Sequence, residues 1–234
     1  MLKPITKDSV DRFTCLILGS AGIGKTSLIR TIPEDDKVLV LSAESGLLAI
    51  GDLVRSGKVE GFEIGSFAEM KEAYQFVLGP EGKRWSWIFI DSLTELSARC
   101  VEAMQAKHTS KSDTFSLWNE YNVLMSHIIK GFRDLKTHTV IFTGLTSIEK
   151  DEANRRYVGP AISGSSLKER LTSYFDEVLL MESRVADDGT EYRCFLTQPI
   201  ERSCAKDRSG RLSPIEQPNL SIIKNKILGV GGGN

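Results

Sequence analysis

The sequence predicts an α/β fold: a mainly parallel central sheet flanked by helices, with an antiparallel hairpin extension near the C-terminus. Three observations predict it. Short apolar runs alternate with segments of helical periodicity through most of the 234 residues. One run, Phe13–Leu18, enters a glycine-rich turn and then a helical stretch, Ser27–Ile32. In the last third, two apolar runs flank Asp188-Gly189, a hairpin turn signal. Strand–helix alternation calls for a parallel sheet covered on both faces.

Each element has a local reason. Lys37–Ala43 is a continuous apolar run, as a buried strand requires. Ser66-Phe-Ala-Glu69 has the capping-box form and opens a helix to about Leu78, which Gly79-Pro80 ends. Trp85–Ile90 is a second buried strand with Asp91 at its carboxyl end. Ser92-Leu-Thr-Glu95 is another capping box, leading a helix to about Ala106. Lys107–Thr114 is polar and loop-like. Phe115–Leu135 places Leu117, Tyr121, Leu124, Ile128 and Phe132 on one helical face. Thr139–Thr143 is a strand, Glu177–Met181 and Tyr192–Thr197 form the hairpin, and Asn219–Leu228 is a terminal helix before a glycine-rich tail. No repeat or linker divides the chain, so residues 1–234 are expected to form one domain.

Composition narrows the classes. Hydrophobic residues at 41% and charged residues at 26% fit a globular protein. A net charge of −1 supplies no global field for polyanions, so any such site is local. No apolar run is long enough for a bilayer, and the first residues lack a signal-peptide core. Cys15, Cys100, Cys194 and Cys204 form no C-x-x-C pair and read as reduced thiols of a cytoplasmic protein; His108, His127 and His138 are isolated.

The chemistry lies in Gly19-Ser20-Ala21-Gly22-Ile23-Gly24-Lys25-Thr26. This is a complete P-loop in its strand–loop–helix context. Successive backbone N–H groups make an anion nest, and the glycines let the backbone close round phosphates without a Cβ clash. The expected nucleotide-binding set is Gly19, Ser20, Ala21, Gly22, Ile23, Gly24, Lys25, Thr26 and Ser27. Lys25 reaches the β- and γ-phosphates, and the Thr26 hydroxyl ligates Mg²⁺. Asp91, ending an apolar strand, has the Walker B position and is the second expected Mg²⁺ residue. Many P-loop ATPases carry Glu directly after that Asp, but here the residue is Ser92. The general-base candidates are therefore Glu44, at the end of the strand before it, and Glu95 as fallback. Lys25, Asp91 and Glu44 form the expected catalytic set.

A P-loop, a strand ending in Ala43-Glu44, and Ile90-Asp91-Ser92-Leu-Thr-Glu95 together resemble the RecA-like recombinase core. Tyr174-Phe-Asp-Glu177 and Ala205-Lys-Asp-Arg-Ser-Gly210 extend the resemblance to small phage RecA-like ATPases of the single-strand annealing type, from about Phe13 to Leu212. The resemblance implies ATP with Mg²⁺ as ligands and Glu44 as catalytic glutamate. It implies self-assembly on single-stranded DNA, leaving open filament or ring and a single-strand-binding protein as partner. It assigns DNA contact to Lys107–Thr114, with Lys107 and Lys111, and to Ser147–Ser163, with Lys150, Arg155, Arg156 and Tyr157. It also implies cations reaching the next subunit's ATP: Lys206 and Arg208, with Lys224 and Lys226 second. The polar Gln of RecA near the strand Thr139–Thr143 has no counterpart; Thr143 and Thr146 stand in its neighbourhood. A protein-remodelling ATPase of the AAA type and a P-loop kinase remain alternatives. The first calls for Glu beside the Walker B Asp and a helical lid. A GTPase is discounted because Asn225-Lys-Ile-Leu228 lacks the guanine-reading Asp.

Overall fold

The computed structural model describes residues 11–44, 46–109, 114–150 and 154–230. In chain order the strands and α-helices are β1 (Thr14–Gly19), β2 (Val38–Ser42), α1 (Gly51–Arg55), β3 (Val59–Glu63), α2 (Phe67–Leu78), β4 (Trp87–Asp91), α3 (Leu93–Lys107) and α4 (Thr114–Arg133). They continue with β5 (Thr139–Gly144), β6 (Thr146–Lys150), β7 (Arg156–Pro160), α5 (Ser165–Leu171), β8 (Glu177–Val185), β9 (Glu191–Leu196), β10 (Lys206–Asp207), β11 (Ile215–Glu216) and α6 (Leu220–Leu228).

Among the described residues, nine strands form one sheet in the order β11-β9-β8-β1-β5-β4-β2-β3, with β10 also on β8. From β8 to β3 the pairing is parallel; β9, β10 and β11 add antiparallel pairs. This is the predicted α/β class with its antiparallel extension. Period-two alternation sends the central strands' side chains to two cores. Leu16, Leu18, Ile88, Ile90, Val140 and Phe142 meet α2, α3, α4 and α5 on one face. Ile17, Val40, Phe89, Ile141 and Met181 meet the P-loop helix and α6 on the other.

Both serine N-caps form: Ser66 and Ser92 accept from the Glu69 and Glu95 amides. The Glu69 carboxylate reaches back one residue further than the motif requires, to the Gly65 amide. Asn219 caps α6, and Gly229, with φ +67°, ends it.

Three expectations need correction. The stretch after the P-loop is a six-residue 3₁₀ helix, Thr26–Thr31, because Ile32 precedes Pro33 and turns extended (φ −78°, ψ 140°). The expected loop Ser147–Ser163 contains the hairpin β6–β7, whose strands pair with each other outside the main sheet. The edge strand β3, Val59-Glu-Gly-Phe-Glu63, and the short helix α5 went unassigned, since β3 buries only Val59 and carries no apolar run.

Candidate nucleotide site

Parallel strands deliver the site's side chains at their carboxyl ends. β1 ends in Gly19, β5 beside it carries Thr143, β4 ends in Asp91, and β2 leads two residues on to Glu44. The register sets Ile17 opposite Thr143 and Ser42 opposite Asp91, so these ends share one rim of the sheet. The strand order thus gathers three of the expected groups: the P-loop with its Thr26, Asp91 and Glu44.

The loop's geometry depends on its glycines. A Cβ on Gly19 would lie 2.8 Å from the Met181 carbonyl oxygen, so glycine alone lets the turn pass β8. Gly22 and Gly24 have φ of +73° and +108°. Lys25 folds across the loop, donating from Nζ to the Gly19 and Ser20 carbonyls at 3.0 and 2.9 Å. Burial lowers its pKa, while the Glu44 and Asp91 carboxylates oppose the shift.

The Thr26 hydroxyl donates to Asp91 Oδ2 at 2.6 Å, and Thr143 Oγ1 donates to Asp91 Oδ1. Asp91 is 4% exposed, so both its oxygens are satisfied in a buried setting. Thr26 and Asp91 present a hydroxyl and a carboxylate in mutual contact, the hard oxygen donors that Mg²⁺ takes alongside phosphate oxygens. Among the described residues no cluster of three or more His, Cys, Asp or Glu forms a metal site of its own.

Glu44 is exposed, and its Oε1 accepts the Ser92 hydroxyl proton. Arg99 of α3 holds the approach to it, donating to the Ala43 carbonyl at 2.8 Å and the Gly65 carbonyl at 2.6 Å. The fallback, Glu95, instead lies 3.4 Å from Arg99 one helical turn on. Sequence reasoning missed the tasks of Ser92 and Arg99. Ser92 had its capping signal, but Arg99 stands one turn after Glu95, a spacing that announces only a helical ion pair.

The other expected groups lie elsewhere. Lys206 and Arg208 flank the segment entering β8, at the opposite end of the sheet from the P-loop. Lys206 pairs with Val178, three residues or roughly 10 Å down β8 from the Met181 that faces Gly19. Lys206 donates to the Thr172 and Phe175 carbonyls at 2.7 and 2.6 Å, and Arg208 to Asp176 at 2.8 Å. Lys226 grips both oxygens of Glu216 at 2.7 Å, and Lys224 lies 4.8 Å over the Trp87 ring. Lys107 pairs with Glu120 at 2.6 Å, while Lys111 falls outside the described residues.

On the hairpin, Lys150 and Arg156 are cross-strand partners, and Arg155 precedes β7. Tyr157, next along the strand, faces the other way. Its ring lies 2.9 Å from a Cβ built on Gly159, and the phenol lines a cleft of about 360 Å³ with Lys168 and Glu149. The expected trio of two arginines and an aromatic is therefore split across the two faces of the hairpin. A partly buried network ties the chain after this hairpin to α3: Ser97 Oγ contacts Tyr121 Oη at 2.7 Å, Tyr121 donates to the Ser163 carbonyl, and the Ser163 amide donates to Ser97.

Among the described residues no helix is long and apolar enough to cross a membrane. No curated protein matches the chain at a significant level. Similar solved structures include the RadB recombinase, with 13% identity, 88% of this chain and 90% of that chain covered, and a TM-score of 0.46. Another is the flagellar accessory protein FlaH from Methanocaldococcus jannaschii, with 12% identity, 83% and 82% coverage, and a TM-score of 0.43. A family profile described as AAA domain matches residues 11–209. That match spans most of the sequence and the whole P-loop site, and the chain belongs to the AAA domain family.

Proposed function

We propose that this protein is an ATPase with a RecA-like site that binds single-stranded DNA and assembles with copies of itself to promote annealing or strand exchange. The observation that carries the reading is Glu44. Among the described residues, the carboxylate that acts on Lys25 besides Asp91 comes from the end of the neighbouring strand β2 and is held by Ser92, the residue directly after the Walker B Asp. An AAA-type remodelling ATPase would carry its base at position 92 itself.

The chain's own groups divide the work. Loop N–H groups and the Lys25 ammonium hold the phosphates. Thr26 and Asp91 would hold Mg²⁺, which when bound neutralises charge on the β- and γ-phosphates. Glu44, exposed and oriented by Ser92, takes the proton of an attacking water. The water oxygen forms the new bond to the γ-phosphorus as the bond to the β–γ bridging oxygen breaks, leaving ADP and phosphate. Thr143, touching Asp91 from the intervening strand, occupies the place where a γ-phosphate sensor is needed.

Lys206 and Arg208 are too far down β8 to serve their own P-loop, so their proposed role is at a neighbouring subunit's ATP. The Arg208 side chain is 55% exposed and is the more available of the two. DNA contact is proposed for the hairpin face bearing Lys150 and Arg156, with Arg155 beside it. Glu149, on the opposite face, is taken by Lys168 and does not offset that charge. Tyr157 is left out of base stacking by its direction.

The test is the ATP hydrolysis rate with and without single-stranded DNA, with Lys25→Ala as blank. Stimulation that is lost in Arg208→Ala and in Lys150→Ala/Arg156→Ala supports the reading. A rate indifferent to DNA moves the assignment to protein remodelling.

A further inference from the structure

Arg193 stands in β9 opposite Ser183 of β8, on the far side of the P-loop from Glu44 and Asp91. Its guanidinium lies over the loop. Nη1 is 2.8 Å, and Cζ 3.7 Å, from a Cβ built on Gly24. The side chain is exposed and has no hydrogen bond or ion pair among the described residues. Carboxylates are not scarce nearby. Glu182, one register position away on β8, is committed to Arg184, as is Glu201. A cleft of about 620 Å³ opens beside Arg193, bounded by Thr31 at the end of the P-loop helix, Tyr192, Glu216 and Asn219.

A cation laid on an anion nest is electrostatically awkward by itself. The nest's N–H groups and Lys25 are already positive, and Lys25 has two carboxylates near it, while Arg193 is paired with none among the described residues. The arrangement becomes favourable once a polyanion lies between them. A guanidinium also brings a fork of donors that matches two phosphate oxygens at once.

We propose that Arg193 is a phosphate-contacting residue of the nucleotide site, supplied in cis by the β8–β9 hairpin and closing on the polyphosphate chain opposite Glu44 and Asp91. The inference rests on the P-loop nucleotide site and adds to it a binding residue outside the loop. It also makes the antiparallel extension part of the site: nucleotide would draw β9 towards the loop, with Met181 packed between them.

The experiment is calorimetric titration of the full chain with MgADP and with a non-hydrolysable MgATP analogue. Wild type, Arg193→Ala, Arg193→Lys and Lys25→Ala are compared, and each variant's melting temperature is taken without nucleotide. Arg193→Ala is expected to weaken both ligands about tenfold. Arg193→Lys should recover part of the loss, since it keeps the charge and not the fork. Melting without nucleotide should be unchanged, because Arg193 has no protein partner to lose. Arg193→Ala binding within twofold of wild type, while Lys25→Ala abolishes binding, overturns this inference alone. Failure of wild type to bind either nucleotide overturns the site reading and this inference with it.

Discussion

Ser92 and Glu44 are joined by one hydroxyl that performs two tasks: it donates to Glu44 Oε1 and accepts the Glu95 amide as the cap of α3. The helix that follows the Walker B strand is therefore started by the same atom that aims the proposed base. Ser92→Ala removes both contacts. The lost cap costs about 1 kcal/mol of stability. The unheld Glu44 should lower kcat about tenfold, an effect of the size expected for one lost orienting hydrogen bond. Glu44→Gln should lower kcat by at least about a hundredfold with nucleotide affinity retained. Steady-state hydrolysis beside nucleotide titration separates the two. A Glu44→Gln protein that hydrolyses at the wild-type rate would falsify the catalytic assignment.

Thr143 supplies Asp91 with its second donor from the strand that separates β4 from β1. Thr143→Val is nearly isosteric, so packing in the fully buried position is kept while Asp91 Oδ1 loses its partner. The expected result is a kcat lowered about tenfold, with the Mg²⁺ titration of activity moved to higher concentration. Asp91→Asn should abolish the Mg²⁺ dependence along with activity. An unchanged Mg²⁺ curve in Thr143→Val would show that the hydroxyl serves folding only.

Much of this was legible in the sequence because each signal was local. Buried parallel strands read as unbroken apolar runs, so β1, β2, β4 and β5 came within two residues of their bounds. The caps Ser66, Ser92 and Asn219 announced their helices. The P-loop and Asp91 carried their own spacing and strand context. What stayed hidden was set by tertiary pairing. β6 and β7 alternate polar and apolar residues weakly, and only their mutual register, Lys150 opposite Arg156, makes them a hairpin. Tyr157 lost its place beside Arg156 to strand alternation, which a loop assignment cannot supply. Nothing in the sequence singles out Arg193; its nearness to Gly24 follows from β9 pairing with β8 and β8 with β1, residues far apart in the chain.

Tyr121 is fully buried against Ser97 and, with the half-buried Ser163, forms a triad that fastens the end of the β6–β7 hairpin to α3. Burial raises its phenol pKa to about 12, so it stays a neutral donor throughout the working range. Tyr121→Phe strands the Ser163 carbonyl and should cost about 1–3 kcal/mol. For a chain of this size each kcal/mol lowers Tm by roughly 2–4 °C. Faster amide exchange at Ser163, without change at β4, would localise the loss to the hairpin's anchor. A variant that melts and exchanges like wild type would show the triad to be neutral.

Glu177 gives the fold a pH dependence of unusual sign for a carboxylate. It is fully buried at the start of β8, with Oε1 accepting the Ser209 amide at 3.2 Å and Oε2 without a partner. Burial, then the neighbouring Asp207 carboxylate, raise its pKa from 4.5 to about 8; Asp176 adds to the rise and the Ser209 amide opposes it. Between these two values the folded protein keeps a proton that the unfolded chain has lost. Stability therefore falls as pH rises across the window from about 4.5 to about 8, and is lowest above it. Asp207, with its pKa lowered by hydrogen bonds from Ser209 and the local backbone against the opposing effect of burial, acts in the other direction and only in acid. Lys206, half-buried nearby, remains tied to carbonyl oxygens and does not neutralise the pair. Glu177→Gln mimics the protonated form: its amide can donate to Asp207 and its oxygen can still accept from Ser209. Urea unfolding at a series of pH values should show this variant more stable than wild type at pH 9, with the margin shrinking towards pH 5. A margin constant across that range would mean that Glu177 does not hold the proton.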